Sequence, residues 1–514
     1  MSKKKVISDR VKAIDELDTL CTYVIKYINE SQVKSSVSKS SWTEAFTNLN
    51  KTVELEKKVD IIDLAQRGSR PHRKALVDII QAYLSNHLKL QEDDIDFMLS
   101  NYYINYYGNI SDITTLATTP LFADQINKIL ISKDADLIVK YEKLAQVCFQ
   151  EIYGLGPLDE FFNFGMDARK NKIEELAPAG GNQSSITISG QKLKLNKLDY
   201  PQDKVDKICK RLTKCSSQTL NKTNPVVETE FIDQSRLTIY GPPFAQNCGA
   251  NIRRHYANAL TAQDRIKLGS TSLGFEKFQD DLAVFYPRIL VVGGQSVGKT
   301  TVIRDNLARY DANTVVACIE SAFELGLENI EHLIVKNMRF GSLPEEQFIS
   351  KLFRFDADVI TIGESRSPVA VNIFTQAAER TEKGTSSTWH ASSPEAGIRE
   401  MAKAFLRGGY ATSEREALIE IESCVDLVIF CSNCDSSYGS HHGMRHISRV
   451  CEIPKDGKPI DVKTQFRDLF RFDYTDFKLK QVNNISDTLQ EILGRRKASR
   501  PDVLDRLSNG NYDS

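Results

Sequence analysis

Near the middle of the chain, Gly293-Gly294-Gln295-Ser296-Val297-Gly298-Lys299-Thr300 has the spacing G-x-x-x-x-G-K-[ST]. Glycines at those positions let backbone N–H groups turn inward around phosphate oxygens, and a following helix adds the positive end of its dipole. The lysine brings a point charge to the β- and γ-phosphates, and the threonine hydroxyl is placed to ligate Mg²⁺. The motif carries this chemistry only between a strand and a helix. Both are legible: the apolar run Ile289–Val292 precedes it and a helix-like stretch from Thr301 to Tyr310 follows. The residues from Gly293 to Thr301 therefore predict a site for ATP with Mg²⁺.

Hydrolysis needs more than a phosphate cradle; a carboxylate must support the Mg²⁺ shell and a group must orient water. Val359-Ile360-Thr361-Ile362-Gly363-Glu364 is an apolar strand ending in a carboxylate, the form of a Walker B element. Ile319-Glu320-Ser321-Ala322-Phe323-Glu324-Leu325 also follows an apolar run, which places Glu320 at the edge of a sheet that faces a ligand crevice. Thr385 to Ala391 is a strand of small residues containing His390.

The elements that must position these groups follow from hydrophobic spacing. From Pro287 onward, apolar β-type runs alternate with helical stretches: Ile289–Val292, Thr314–Ile319, Leu333–Val335, Val359–Ile362, Ser386–Trp389 and Leu427–Phe430. Strands without polar alternation belong to a sheet buried on both faces, so residues 282–475 are expected to form a doubly wound α/β domain. Short alternating runs such as Ser185–Ile188 and Arg236–Tyr240 predict a smaller α/β domain over 131–265, with 266–281 as linker. It opens with an amphipathic helix, Ala135 to Ile152, that stops at Gly154-Leu155-Gly156-Pro157.

Residues 1–130 read as helical. Val11, Ile14, Leu17, Cys21, Val24, Ile25 and Ile28 form one stripe, and Leu76, Ile79, Ile80, Tyr83 and Leu84 another, before a tyrosine-rich stretch from Tyr102 to Tyr107. Ser35 to Ser41 is linker-like, and 476–514 is expected to be a polar tail with one short helix from Thr488 to Leu493.

The chain has 514 residues, enough for several domains. Its 67 basic and 68 acidic residues balance to −1, which argues against an overall field for nucleic acid. No apolar run approaches the ~18 residues of a membrane span, and the start carries lysines without the apolar core of a secretory signal. Ten cysteines lie scattered without a disulfide framework, so a cytoplasmic location is expected.

In this order and spacing the four elements resemble those of the type II/type IV secretion ATPases, a family of hexameric RecA-like motors. The likeness is greatest to the branch that powers tight-adherence pilus assembly. That family carries a Walker A loop, an acidic box I-E-D-x-x-E-L, a Walker B of the form P-D-R-I-I-V-G-E-x-R, and a histidine box ending S-T-x-H-A. The counterparts here are Gly293 to Thr300, Ile319 to Leu325, Asp358 to Arg366 and Gly384 to Ala391. Upstream, Gly154 to Asp159, Asp233-Gln234-Ser235-Arg236, Gly241-Pro242-Pro243 and Ile252-Arg253 match further family segments.

The resemblance implies the roles. Lys299 and Thr300 hold phosphates and Mg²⁺, Glu364 supports the Mg²⁺ shell, and Glu320 polarises the attacking water. His390 senses the γ-phosphate or couples neighbouring strands. Arg253 reaches the nucleotide from the N-terminal domain, and Arg339 bridges subunits. It also implies ATP bound between the two domains, a hexameric ring, and peripheral attachment at the cytoplasmic membrane through an inner-membrane platform protein. Four positions depart from the pattern: Gln295 to Val297 in the loop, Ser321, Thr381-Glu382, and Glu230. Slow turnover is the expected consequence. A RecA-like nucleic-acid motor, a P-loop kinase and a nucleotide-binding scaffold with little hydrolysis are the alternative readings. Cys431 and Cys434, with His441, His442, His446 and Cys451 nearby, offer zinc-type donors. Their spacing fits no standard zinc module, and a reduced β-hairpin is expected there.

Overall fold

The computed structural model describes residues 17–33, 61–107, 135–162, 173–180, 183–188, 191–194, 201–232, 235–254, 261–321, 323–340, 343–381, 383–441, 443–453, 455, 466–497 and 499–513. The chain forms two compact units, Met1–His255 and Tyr256–Ser514.

The first unit contains a six-stranded sheet of β1 (Ile173–Ala177), β2 (Ser185–Ile188), β3 (Gln191–Lys194), β4 (Val226–Glu230), β5 (Arg236–Tyr240) and β6 (Gly249–Arg253). Its order is β3-β2-β1-β6-β5-β4, with every pairing antiparallel. The helices Leu17–Val33, Arg70–Ala82 and Leu137–Ile152 turn their apolar stripes into a core that they share with this sheet and with the helix Gln202–Leu212. Leu20, Val24, Leu76, Ile80, Leu144, Phe149, Leu176, Ile186, Leu237 and Ile252 share one core. Residues on either side of position 130 thus close the same interior, because neither the helical stripes nor the sheet face could be dry alone.

Buried charges pin the join. Arg73 Nη1 donates to Asp159 Oδ1 at 2.9 Å, and the other Asp159 oxygen accepts the Leu155 N–H at 2.7 Å. The turn Gly154 to Asp159 is held by its own aspartate so closely that a Cβ on Gly154 would lie 1.7 Å from that carboxylate. Of the first stripe, Ile25 faces outward, 39 % exposed. Val11, Ile14, the Ser35–Ser41 segment and the side chains of Tyr103 to Tyr107 lie outside the described residues.

The second unit is built on a nine-stranded sheet: β7 (Ile289–Gly293), β8 (Val315–Glu320), β9 (Ile334–Arg339), β10 (Val359–Ile362), β11 (Thr385–His390), β12 (Leu427–Asn433), β13 (Arg445–Glu452), β14 (Arg467–Asp473) and β15 (Lys478–Gln481). The order is β15-β14-β13-β12-β7-β11-β10-β8-β9. The six strands from β12 to β9 run parallel, and β13 to β15 add antiparallel. Alternate residues feed two separate cores, as the two-residue period of a strand requires. Ile289, Val291, Val316, Cys318, Leu427 and Ile429 enter one. Leu290, Val292, Ala317, Ile319, Ile360 and Val428 enter the other. β7, β8 and β10 lack polar alternation because both of their faces are buried, whereas the expected run Leu333–Val335 meets the edge strand β9, where Ile334 is 46 % exposed.

Two expectations change. The segment 266–281, read as linker, carries the end of the helix Ala262–Lys267 and most of Leu273–Ala283, and Phe275, Phe278 and Leu282 enter the core. The tail from 476 contains β15 and the helices Asp487–Arg496 and Pro501–Asn509. Leu489, Leu493, Val503 and Leu507 pack into the same core, so the tail completes the unit.

Candidate nucleotide site

Parallel strands end at one edge of a sheet, and the register here brings the four predicted elements to that edge. His390 of β11 stands opposite Gly293 of β7, and Ile362 of β10 stands opposite both Ser387 of β11 and Ile319 of β8. After β7 the chain turns through Gly293 to Gly298 and enters the helix Lys299–Leu307. Gly293 (φ 152°) and Gly298 (φ 94°) take backbone conformations that favour glycine. A Cβ on Gly293 would lie 2.3 Å from the Cys431 carbonyl oxygen, whereas one on Gly298 would meet nothing within 4 Å. Gly294, Gln295 and Ser296 are exposed, Val297 packs inward, and Thr300 and Thr301 are half-buried at the helix start. A glycine-opened loop on a helix N-terminus fits a polyphosphate. The Thr300 hydroxyl and the Glu364 carboxylate are hard oxygen donors of the kind Mg²⁺ takes.

Lys299 is buried beneath this loop. Its Nζ donates to the carbonyls of Gly293 (3.2 Å) and Gly294 (2.6 Å) and lies 3.4 Å from His390 Nδ1. On the other side of the ring, His390 Nε2 is 2.7 Å from Glu364 Oε1, which also meets Arg366 Nε at 2.6 Å. An ammonium facing Nδ1 and a carboxylate facing Nε2 select the tautomer with its proton on Nε2. Burial pushes the Glu364 carboxyl upward, but the hydrogen bonds from His390 and Arg366 and the charge of the Arg366 guanidinium win and hold it at about 2.

Cross-strand hydroxyls set this alignment. Thr385 Oγ1 donates to the Ile360 carbonyl (2.6 Å), Thr388 Oγ1 donates to the Gly363 carbonyl (2.7 Å), and Thr361 with Ser386 and Ser365 with Ser387 pair at 2.7 Å. The small-residue run of β11 is therefore a strand whose buried hydroxyls are satisfied by β10 and the residues that directly follow it.

Glu320 is not drawn into that cluster. It ends β8, three strand spacings or ~14 Å from β7 along the sheet. Its Oε1 accepts the N–H groups of Glu324 (2.9 Å) and Leu325 (3.1 Å), and its Oε2 accepts from Cys318 Sγ at 3.4 Å. Only 5 % exposed, the carboxyl is pushed up by burial, with those donors pulling the other way. The loop it holds is fixed from two further sides. Arg304 of the P-loop helix donates to the Leu325 carbonyl, while Arg339 donates to the Ser321 carbonyl and lies over the Phe323 ring, 4.8 Å from its centre. Arg253 sits on β6 of the first unit, opposite Glu175 and Arg236. Asp233, Gln234, Ala322 and Glu382 of the sequence motifs lie outside the described residues.

Residues 232–458 match a family model described as Type II/IV secretion system protein. This segment belongs to that family. Among solved structures, the chain is similar to the VirB11 ATPase of the Brucella suis type IV secretion system, in complex with sulphate. That likeness has 18 % identity over 55 % of this chain and 89 % of the other, with a TM-score of 0.31. It is similar to the Legionella pneumophila ATPase DotB, with 13 % identity over 56 % and 79 % and a TM-score of 0.38. The pilus retraction motor PilT with bound ADP matches at 16 % identity over 67 % and 89 %, with a TM-score of 0.39. No curated protein matches the chain.

Within this secretion-family segment, sequence reasoning gave no role to Arg304, Cys318, Gly363 or Arg366. Cys318 stands two residues before Glu320 on a strand, so its side chain shares a face with it. Gly363 precedes Glu364 where a Cβ would lie 2.7 Å from Glu320 Cγ. Both were findable by strand periodicity and register. Cys431 and Cys434 are buried on the β12 hairpin, and burial pushes the Cys431 thiol up to about 12. Cys434 Sγ lies 3.9 Å from His446 Nδ1, and His442 is outside the described residues. Among the described residues, no group of three possible metal ligands gathers.

Proposed function

We propose that the chain is an ATP-hydrolysing motor of the secretion and pilus-assembly class. It would work as a homo-oligomeric ring, by expectation a hexamer, on an inner-membrane platform protein. The observation that carries the reading is the chain of contacts from Lys299 through His390 to Glu364 at the mouth of the phosphate loop.

The environment separates the two acids, which is how paired carboxylates take different tasks. Glu364, held at about 2, stays anionic and supports the Mg²⁺ shell with Thr300. Glu320, pushed up by burial, is the stronger base and orients the attacking water. Thr300 and Glu364 would hold Mg²⁺, which would supply positive charge against the developing charge of the phosphates. Residues Gly293 to Thr301 hold the phosphates through backbone N–H groups and the Lys299 ammonium. His390 carries the state of Lys299 to Glu364, since a shift of the ammonium toward a γ-phosphate loosens its contact with Nδ1. By the family resemblance Arg253 and Arg339 also bear on the nucleotide, Arg339 as the arginine that bridges subunits. Turnover changes the disposition of the units around the ring.

Phosphate release by the purified full chain, with and without Lys299→Ala, tests the proposal. Loss of at least 100-fold is expected on removing the ammonium, roughly the effect of losing a charge-stabilising group. Equal rates for both proteins would leave a nucleotide-binding scaffold. Stimulation by single-stranded DNA would favour the nucleic-acid motor, against which the near-neutral charge of −1 already argues.

A further inference from the structure

On β8, Cys318 and Glu320 leave the strand on the same face, and Cys318 is fully buried among Val316, Leu325 and Ile303. Its thiol faces Glu320 Oε2 at 3.4 Å, while Oε1 is taken by the N–H groups of Glu324 and Leu325. Gly363, one residue past β10, stands against Glu320, so near that any side chain there would strike Glu320 Cγ and Oε1. The carboxylate therefore lies in a slot with donors on both oxygens and backbone along one wall.

We propose that Cys318 is a positioning residue for ATP hydrolysis: its S–H holds Glu320 Oε2 and fixes the rotamer from which Glu320 orients water. The assignment rests on the reading of Glu320 as the water-orienting base. Chemistry favours a thiol at this place. A hydroxyl in the same apolar pocket would call for a second partner, whereas a thiol packs as a small apolar group and still donates weakly. Burial pushes the thiol well up, so it keeps its proton and remains a donor.

The test compares Cys318→Ala, Cys318→Val and Cys318→Ser in the full chain. Ala and Val remove the donor, and Ser retains one while packing less well in an apolar core. Turnover at saturating ATP falls about five-fold in Ala and Val with KM unchanged, as loss of one modest hydrogen bond predicts. In Ser it stays within about two-fold, while the melting temperature follows the opposite order, Val above Ser. Turnover that instead tracks melting temperature across the three variants would overturn the proposal and leave Cys318 as packing only. A second arm needs no turnover. The S–H stretching band lost in Cys318→Ala is read by Raman difference in wild type and in Glu320→Gln. Expected is a shift toward the free-thiol position once the charged acceptor is gone; an unmoved band sinks the contact even if hydrolysis is real. A shifted band in a chain without turnover would sink the Glu320 reading, and with it the assigned purpose of the thiol.

Discussion

Gly363→Ala is a one-carbon test of how Glu320 is held. The added Cβ would lie 2.7 Å from Glu320 Cγ and 2.9 Å from Oε1, against ~3.5–4.0 Å for an ordinary carbon contact. The glutamate must retreat by roughly 1 Å. Its bonds to the Glu324 and Leu325 N–H groups, 2.9 and 3.1 Å, then stretch beyond hydrogen-bond range. Overpacking and the weakened charge-assisted bonds together cost about 2–3 kcal/mol, a drop of roughly 5–10 °C in melting temperature for a unit of this size. A displacement of ~1 Å at a water-orienting base lowers turnover about 100-fold. The assays are urea denaturation and phosphate release at saturating ATP. The decisive control is a double-mutant cycle with Glu320→Ala, because the three atoms nearest the new methyl all belong to that side chain. Stability losses that add within ~0.5 kcal/mol would show that Gly363 and Glu320 do not press on one another, and the reasoning would fail.

Asp159→Asn leaves Arg73 buried opposite a neutral amide, so denaturation should show the first unit weakened by roughly 3 kcal/mol, partly recovered by adding Arg73→Met. Glu364, held at about 2 against an ordinary 4.5, contributes stability that is full above pH 4.5 and lost as pH falls toward 2. Glu364→Gln should therefore lower the urea-derived stability by about 3 kcal/mol at pH 7, with the gap narrowing below pH 4.5. Ending the chain at residue 485 removes Leu489, Leu493, Val503 and Leu507, each at most 4 % exposed. At ~1.5–3 kcal/mol apiece that approaches the whole stability of a domain, and the shortened protein should express as insoluble material.

The strand–loop–helix around Lys299 and the apolar runs of the second sheet were legible because their signals are local: glycine spacing for one, absence of polar alternation for the other. The helices in 266–281 and after 486 were legible too, but by weaker marks. Phe275, Phe278 and Leu282 recur at helical spacing behind the cap Ser272, and Leu489/Leu493 and Val503/Leu507 stand four apart behind Ser486 and Pro501. The stretch Thr488–Leu493 reads as a helix, matching Asp487–Arg496; polar composition hid the others, since a helix packed on a sheet needs only a narrow apolar stripe. What spacing could not supply is the direction of a carboxylate. Glu320 and Glu364 end neighbouring strands of similar sequence. Only the partners, backbone N–H groups and a thiol for one, an imidazole and a guanidinium for the other, set their opposite electrostatics.

The interior shared by the N-terminal helices and the six-stranded sheet bears on how the first unit comes apart. Leu20 and Ile252 line the same dry volume, and the Arg73–Asp159 pair bolts the helices to the turn ahead of the first strand. The helices and the sheet therefore share one interior, and the unit is expected to unfold in a single step rather than to shed its helices first.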